Sequence, residues 1–499
     1  MTRLDGGVAS AMRLEEYFEP FRRNIAGHDF EHRFVAGKRK IIYADWGASG
    51  RLYRPIERYI SDVLGPYVAN THTETTLTGR TMTAVYEQAR HIIKQHVGAG
   101  QDDVLLFAGF GMTAAVNKLQ RILGLRVGER LKRQINLQGA KRPLIVITHM
   151  EHHSNQTSWQ ECLGDVEIIR RAPDGLPDLD HLRDILAANR HRKLKIGAFS
   201  TCSNVTGIVT PYHEMAAIMH EHGGYCFVDF SASAPYVDID MHPAHAGQHL
   251  DAIYFSPHKF LGGPGASGVV VFNKRFYRNR VPDHPGGGTV AWTNPWREQR
   301  YYDDIEARED GGTPGFLQAI KSALAVLLKE KMGVSHILAR EHQQLRRLVA
   351  GLLRNPAIDV LEPQQMNRLG FVSFYCPEIH YNLIVKLLND RFGIQTRGGC
   401  SCAGTYGHIL LGVDECLSKS ITDKIDQGDL SAKPGWVRVS LHPTMTDAEI
   451  DIIVAAIDAV VENHQTWRAD YRFNTTTGEF DRIDGAERYP NLHSAARFL

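Results

Sequence analysis

Asp251-Ala-Ile-Tyr-Phe-Ser-Pro-His-Lys259-Phe-Leu-Gly-Gly-Pro-Gly265 holds, in order, an apolar run, a lysine and a turn rich in glycine and proline. The apolar run reads as a buried strand over residues 252–256. Glycine tolerates backbone angles that other residues avoid, so the turn can fold back tightly and fix Lys259 just past the strand end. A lysine ahead of such a turn is more often a solvated surface residue. The company Lys259 keeps along the chain separates the two readings.

Outward from this stretch, short β-branched and aromatic runs recur at 104–107, 144–148, 166–170, 196–200, 225–229 and 268–272. Amphipathic stretches such as 113–125 and 212–221 lie between several of them. That alternation predicts an α/β fold with a mostly parallel, seven-stranded sheet covered on both faces. Catalytic groups in such sheets collect at the carboxyl ends of the strands. A helical stretch over 315–332 leads toward a second unit with helices and strands of its own, among them 371–375 and 436–440.

Three other predicted strand ends carry chemistry. Asp229 closes the run Tyr225-Cys-Phe-Val-Asp229. A carboxylate there is costly without a partner, and a protonated pyridine nitrogen is one; capping of the next helix is the plainer alternative. Phe107-Ala-Gly-Phe-Gly111-Met112-Thr113 runs from strand to helix and offers glycines, a hydroxyl and free N–H groups. It makes an anion site suited to phosphate, or simply a tight turn. The third glycine of a dinucleotide fingerprint is missing, which disfavours a nicotinamide enzyme. Thr148-His149-Met-Glu-His152-His153-Ser-Asn155 fits neither HExxH nor HxxEH, so no metal centre is expected, and an imidazole stacked on a planar ring is the better account.

Together these places resemble the class V aminotransferase family, and within it the cysteine desulfurase and selenocysteine lyase branch. The resemblance covers residues 43–446 and is most specific in Ser256-Pro-His258-Lys259, Met150-Glu-His152-His153-Ser-Asn155, Ser203-Asn204-Val-Thr-Gly207 and Asp229. It implies an aminotransferase-like fold type I enzyme that uses pyridoxal 5'-phosphate (PLP). An arm at 1–55 would pack on a small α+β domain at 333–475, beside a large PLP-binding domain at 56–332 and ahead of a tail at 476–499. By the same resemblance Lys259 binds the cofactor covalently and later moves protons. His152 stacks on the ring, Asp229 pairs with its nitrogen and Asn204 lies near its hydroxyl. Gly111, Met112, Thr113, Ser256 and His258 hold the phosphate. Gly312-Thr313-Pro314 looks like the segment that lends Thr313 to a neighbouring subunit, which implies a homodimer. The family often has glutamine three residues after the aspartate; here Ala232 stands there, between Ser231 and Ser233.

The substrate end is read from Thr396-Arg397-Gly-Gly-Cys400-Ser-Cys402-Ala-Gly. A cysteine in a glycine-rich loop near arginine can act as a nucleophile, or be an inert thiol. The segment resembles short-loop desulfurases, in which a persulfide-forming cysteine follows the arginine by five residues, and counting from Arg397 gives Cys402. Arg438 alternates with apolar residues in Gly435-Trp-Val-Arg438-Val-Ser-Leu441 and can present a two-pronged donor to a carboxylate. It matches the family's carboxylate-binding arginine, with Arg397 as a second candidate. Residues 414–433 read as an inserted helix and loop that could reshape access to the site.

Composition closes off other classes. A net charge of +1 gives no field for nucleic acid or an anionic membrane, and no window approaches a membrane span. Residues 1–22 lack the apolar core of a signal peptide. Seven scattered cysteines make no disulfide framework, so a cytoplasmic enzyme is expected. The expected activity is removal of sulfur or selenium from cysteine or a related amino acid through a Cys402 persulfide, with room for a sulfur-acceptor protein as a partner. The alternative is transamination, C–S elimination or epimerisation at the same PLP site, with Cys402 a bystander.

Overall fold

Strands with continuous apolar sequences build the centre of the molecule, because a strand buried on both faces needs apolar residues at every position. In the computed structural model, which describes residues 7–71 and 73–485, seven such strands form one sheet. They are β1 (Asp103–Ala108), β2 (Leu144–Thr148), β3 (Asp165–Ile169), β4 (Lys195–Ser200), β5 (Tyr225–Asp229), β6 (Ala252–Phe255) and β7 (Gly268–Asn273). The order across the sheet is β1-β7-β6-β5-β4-β2-β3. The last five run parallel, and β7 is antiparallel to both of its neighbours.

Successive residues of each strand serve opposite faces. Leu105, Val146, Phe199, Val228 and Ile253 join one apolar core, while Leu106, Ile147, Ala198, Phe227 and Tyr254 join another on the other side. The reversal of β7 has a consequence for the site. It leaves β1 running the same way as β6, so the segment after Ala108 and the segment after Phe255 emerge at one edge. Asp229 and Ser200 end their strands at that edge too.

A second core forms around a smaller antiparallel sheet. Its strands β8 (Asp359–Val360), β9 (Phe371–Tyr375), β10 (Arg397–Gly399) and β11 (Trp436–Ser440) lie in the order β8-β9-β11-β10. Helices Val334–Leu352 and Asp447–Arg468 supply apolar residues behind it, and the latter starts with a Thr446/Glu449 capping box. The N-terminal segment belongs to this core. Phe18 and Phe21 are buried in it, and Ile42–Tyr43 pairs in parallel with Ile394–Gln395.

The chain end departs from expectation. Tyr471–Asn474 and Glu479–Arg482 form a hairpin whose Tyr471 and Phe480 are buried in the second core. The limit expected at 475 therefore falls in the hairpin turn, and packed structure continues to Arg482. Tyr471-Arg-Phe-Asn474 and Glu479-Phe-Asp-Arg482 do alternate, but four residues each among polar neighbours are too short for the pattern to stand out. Residues 486–499 of the expected tail lie outside the described residues. The inserted segment is helix Glu415–Asp426 followed by a loop, capped by Asp414 and without a buried residue. Among the described residues no helix is long and apolar enough to cross a membrane.

Candidate active site

Lys259 sits on a single helical turn, Pro257–Lys259, directly after β6. The turn is braced from an unexpected direction. Gly50 N–H donates to His258 O at 2.9 Å, and a Cβ on Gly50 would lie 1.9 Å from Phe260 O, so only glycine allows this approach. Lys259 Nζ takes no hydrogen bond or ion pair among the described residues. Burial lowers its pKa, Asp229 pulls it back up, and Arg438 pushes it down again.

Asp229 is 5% exposed and forms no ion pair among the described residues. Oδ1 accepts from Ser231 N–H at 2.8 Å. Burial raises its pKa, against the pull of Ser231 and Lys259. Two more polar atoms nearby, Ser231 Oγ and Asn204 Oδ1, are buried without a hydrogen-bond partner among the described residues. Both residues line the same cavity of about 220 Å³ as Asp229 and Lys259. Unpaired buried polar groups are rare, and a cluster of them beside a buried carboxylate suits a polar ligand.

His152 is the N-cap of helix His153–Gln160, with Nδ1 accepting from Ser154 N–H at 3.1 Å. That bond leaves the proton on Nε2. Burial, then the nearby Lys259, push the pKa down to about 3, so the ring is neutral. Glu151 anchors this segment from behind. Its buried carboxylate accepts from Thr148 Oγ1 at 2.6 Å, Asn155 Nδ2 at 2.8 Å and Ser200 N–H at 3.0 Å.

At the start of helix Met112–Ile122, Met112 N–H donates to Ser256 Oγ at 2.8 Å. A Cβ on Gly111 would stand 3.1 Å from Ser256 Oγ and 3.6 Å from the His258 ring, which explains the glycine by close approach. Thr113 Oγ1 lies 2.7 Å from Ser154 Oγ. His258 is partly buried, and burial followed by Lys259 lowers its pKa to about 4. Helix N–H groups, Ser256, His258 and Thr113 thus converge, as an anion site requires. Thr313 is not brought here. It lines a separate cavity with Phe110, Arg121 and His284.

The other end of the cavity is made by β10, β11 and the loop after β10. Arg397 and Arg438 are cross-strand partners, and both bind Asp45. Cys400 is partly covered, and Cys402 is exposed. Ser401 and Cys402 have φ of +50° and +57°, a left-handed region that side chains rarely occupy. Surrounding bonds hold this strain in place. Trp436 Nε1 donates to Ser401 Oγ at 3.2 Å, Asn204 Nδ2 to Ser401 O at 2.7 Å, and His153 N–H to Cys402 O at 2.7 Å. The Cys402 backbone is therefore tied to elements that carry His152 and Asn204.

Lys259, Asp229, His152, Asn204, Thr113 and Ser256 are thus gathered with Arg397, Arg438 and Cys402 around one cavity. Sequence reasoning missed Asp45, the Glu151 hub, and Gly47 and Ala48, which also line the cavity. Residues 42–453 match the family model described as Aminotransferase class-V.

The chain belongs to the class-V aminotransferase family. Curated relatives include a probable cysteine desulfurase of Halobacterium salinarum, 27% identical over 432 residues, or 85% of this chain and 93% of that protein. Another is the cysteine desulfurase of Haloferax volcanii, 24% identical, covering 85% and 90%. Among solved structures, the apo cysteine desulfurase of Thermococcus onnurineus NA1 matches with a TM-score of 0.70 at 23% identity, covering 89% of this chain and 98% of that one. The fold is the fold type I architecture expected from the sequence. Class-V aminotransferases are PLP enzymes, and the residues fit that group. Among the described residues, a buried carboxylate lacking a cation, two unpartnered polar atoms, an unpaired lysine and a glycine-opened anion site share one pocket.

Proposed function

We propose that this protein is a PLP-dependent cysteine desulfurase that takes sulfur from cysteine onto Cys402. The observation that carries the reading is the exposed Cys402 thiol, on a strained but pinned loop, bordering the cavity that holds Lys259 and Asp229. Transamination or epimerisation gives no reason to place a thiol there at the cost of two left-handed residues.

PLP would be held by Lys259, with Asp229 at the ring nitrogen, His152 over the ring, Asn204 at its hydroxyl, and the Gly111–Thr113 turn, Ser256 and His258 at the phosphate. When bound it supplies an electron sink for the substrate α-carbon. The protein's part is then to position and to move protons. Arg438 and Arg397 grip the substrate carboxylate. Lys259, once free, takes the α-proton; its lowered pKa favours the neutral amine that this needs. Cys402 attacks the substrate sulfur, the C–S bond breaks, and the products are a Cys402 persulfide and alanine. His152 stays neutral throughout the working range, since its pKa is about 3.

We further read the working unit as a homodimer, in which Thr313 serves the neighbour's phosphate site; its place outside this chain's own pocket supports that reading. Seven unpaired cysteines support a reducing, cytoplasmic setting. The inserted helix is held beside the Cys402 loop by His408 Nε2 and Ser418 Oγ, 2.8 Å apart, which suits a role in receiving a sulfur acceptor.

Product analysis tests the function. With a panel of amino acids, cysteine is expected to give equal amounts of sulfide (with a thiol reductant) and alanine. Pyruvate with ammonia, or a keto acid alone, would instead assign C–S elimination or transamination. Asp229→Asn is expected to lower kcat at least about 100-fold. Its melting temperature should hold or rise, because the variant removes a buried charge. Near-normal kcat would take Asp229 out of the ring-nitrogen role.

A further inference from the structure

Arg397 and Arg438 face each other across neighbouring strands, an arrangement that like charges disfavour. Asp45 resolves it. Its Oδ1 accepts from Arg438 Nη2 at 2.8 Å, and its Oδ2 from Arg397 Nε and Nη2, both at 3.1 Å. The two cations and one anion leave a single net positive charge where the substrate carboxylate is proposed to bind. The backbone on either side of Asp45 is anchored, and its carboxylate is held by the two arginines themselves. Its backbone bridges to Ser440, Gly47 N–H donates to Ser440 Oγ at 2.9 Å, and the adjacent Trp46 stacks on His442 with ring centroids 3.9 Å apart. An incoming carboxylate therefore meets two arginines that already share Asp45. A donor is free for the purpose. Arg438 is 2% exposed and spends its other contact on Asn204 O at 2.8 Å, but its Nε is buried without an acceptor among the described residues.

We propose that Asp45 sets the charge selectivity of the site, admitting amino acids with one carboxylate and disfavouring those with a second anionic group. The proposal rests on Arg397 and Arg438 being the carboxylate clamp. One α-carboxylate neutralises the remaining positive charge. A second anion finds no uncompensated charge left on the arginine pair and meets Asp45 instead. Neutral His152 adds no charge to offset it.

The test uses the PLP-loaded protein and two amino acids, L-alanine and L-aspartate. Dissociation constants are read from the shift of the visible band and, independently, by calorimetry. The unsubstituted protein should bind L-alanine at least about tenfold more tightly. Removing one charge some 6 Å away, at an effective dielectric constant near 20, corresponds to roughly a hundredfold, which solvent screening reduces. Asp45→Asn is therefore expected to move the ratio toward L-aspartate by at least about tenfold, while Asp45→Glu keeps the ratio even if both affinities drop. An unchanged ratio in Asp45→Asn overturns the proposal. So does an equal shift in Asp45→Glu, or an unsubstituted protein that prefers L-aspartate. Failure of the underlying clamp looks different: Arg438→Lys then leaves L-alanine affinity untouched, and the proposal falls with it.

Discussion

Lys259→Ala is expected to lose turnover by at least about a thousandfold and to lose every borohydride-reducible attachment of PLP, while remaining folded. The expectation joins two observations. Lys259 follows β6 at the sheet edge where Asp229, Ser256 and the Met112 helix start also converge, and among the described residues it is the lysine that lines this cavity. Its Nζ also has no hydrogen bond or ion pair among the described residues, so the truncation removes a charge disfavoured by burial rather than a stabilising contact. Unfolding free energy should change by no more than about 1 kcal/mol, in either direction. Mass spectrometry of the borohydride-treated protein locates the modified residue, and a phosphopyridoxyl group on a different lysine would sink the assignment.

Cys402→Ser separates desulfuration from every other use of the pocket. Serine keeps nearly the shape and the backbone demand of cysteine, so the strained Ser401–Cys402 loop and its bonds to Trp436, Asn204 and His153 should survive. A hydroxyl cannot carry a persulfide. Alanine and sulfide release from cysteine should fall by at least about 100-fold, whereas amino-acid binding, seen in the visible band, should stay close to that of the unsubstituted protein. Cys400→Ser should cost far less, since Cys400 is partly covered against the apolar cluster that includes Tyr406 and Trp436 and does not line the cavity. Retained sulfide release in Cys402→Ser would return the thiol to the status of a bystander.

The large sheet was legible because its strands are buried on both faces. Runs such as Leu-Ile-Val-Ile-Thr at 144–148 have no polar interruption and stand out from the helices around them. The small sheet was half legible for the same reason: β9 and β11 carry apolar runs, while β8 has two residues and β10 is Arg-Gly-Gly. Such strands are defined by their neighbours, not by their own pattern. In the site, groups at strand ends could be read locally, because sheet topology brings strand ends together. Asp45 could not. Its role exists only through Arg397 and Arg438, and Asp-Trp-Gly carries no local sign of two distant guanidinium partners. Glu151 lies inside the Thr148–Asn155 motif, but its hub role depends on Thr148 and Ser200 ending adjacent strands.

The sequence separation of 393 between Asp45 and Arg438 also sets an order of events during translation. The seven central strands end at Asn273, so they can associate while everything beyond them is still unmade. The surroundings of Lys259 and Asp229 are thus the early part of the nascent protein. Ile42–Tyr43 has by then left the ribosome, but its pairing strand at Ile394–Gln395 has not. That edge stays open, a ready target for chaperones or for a neighbouring chain, until the C-terminal third arrives. The thiol loop and the arginine pair are completed last, so a shortened translation product would keep the lysine and its aspartate without the reactive cysteine.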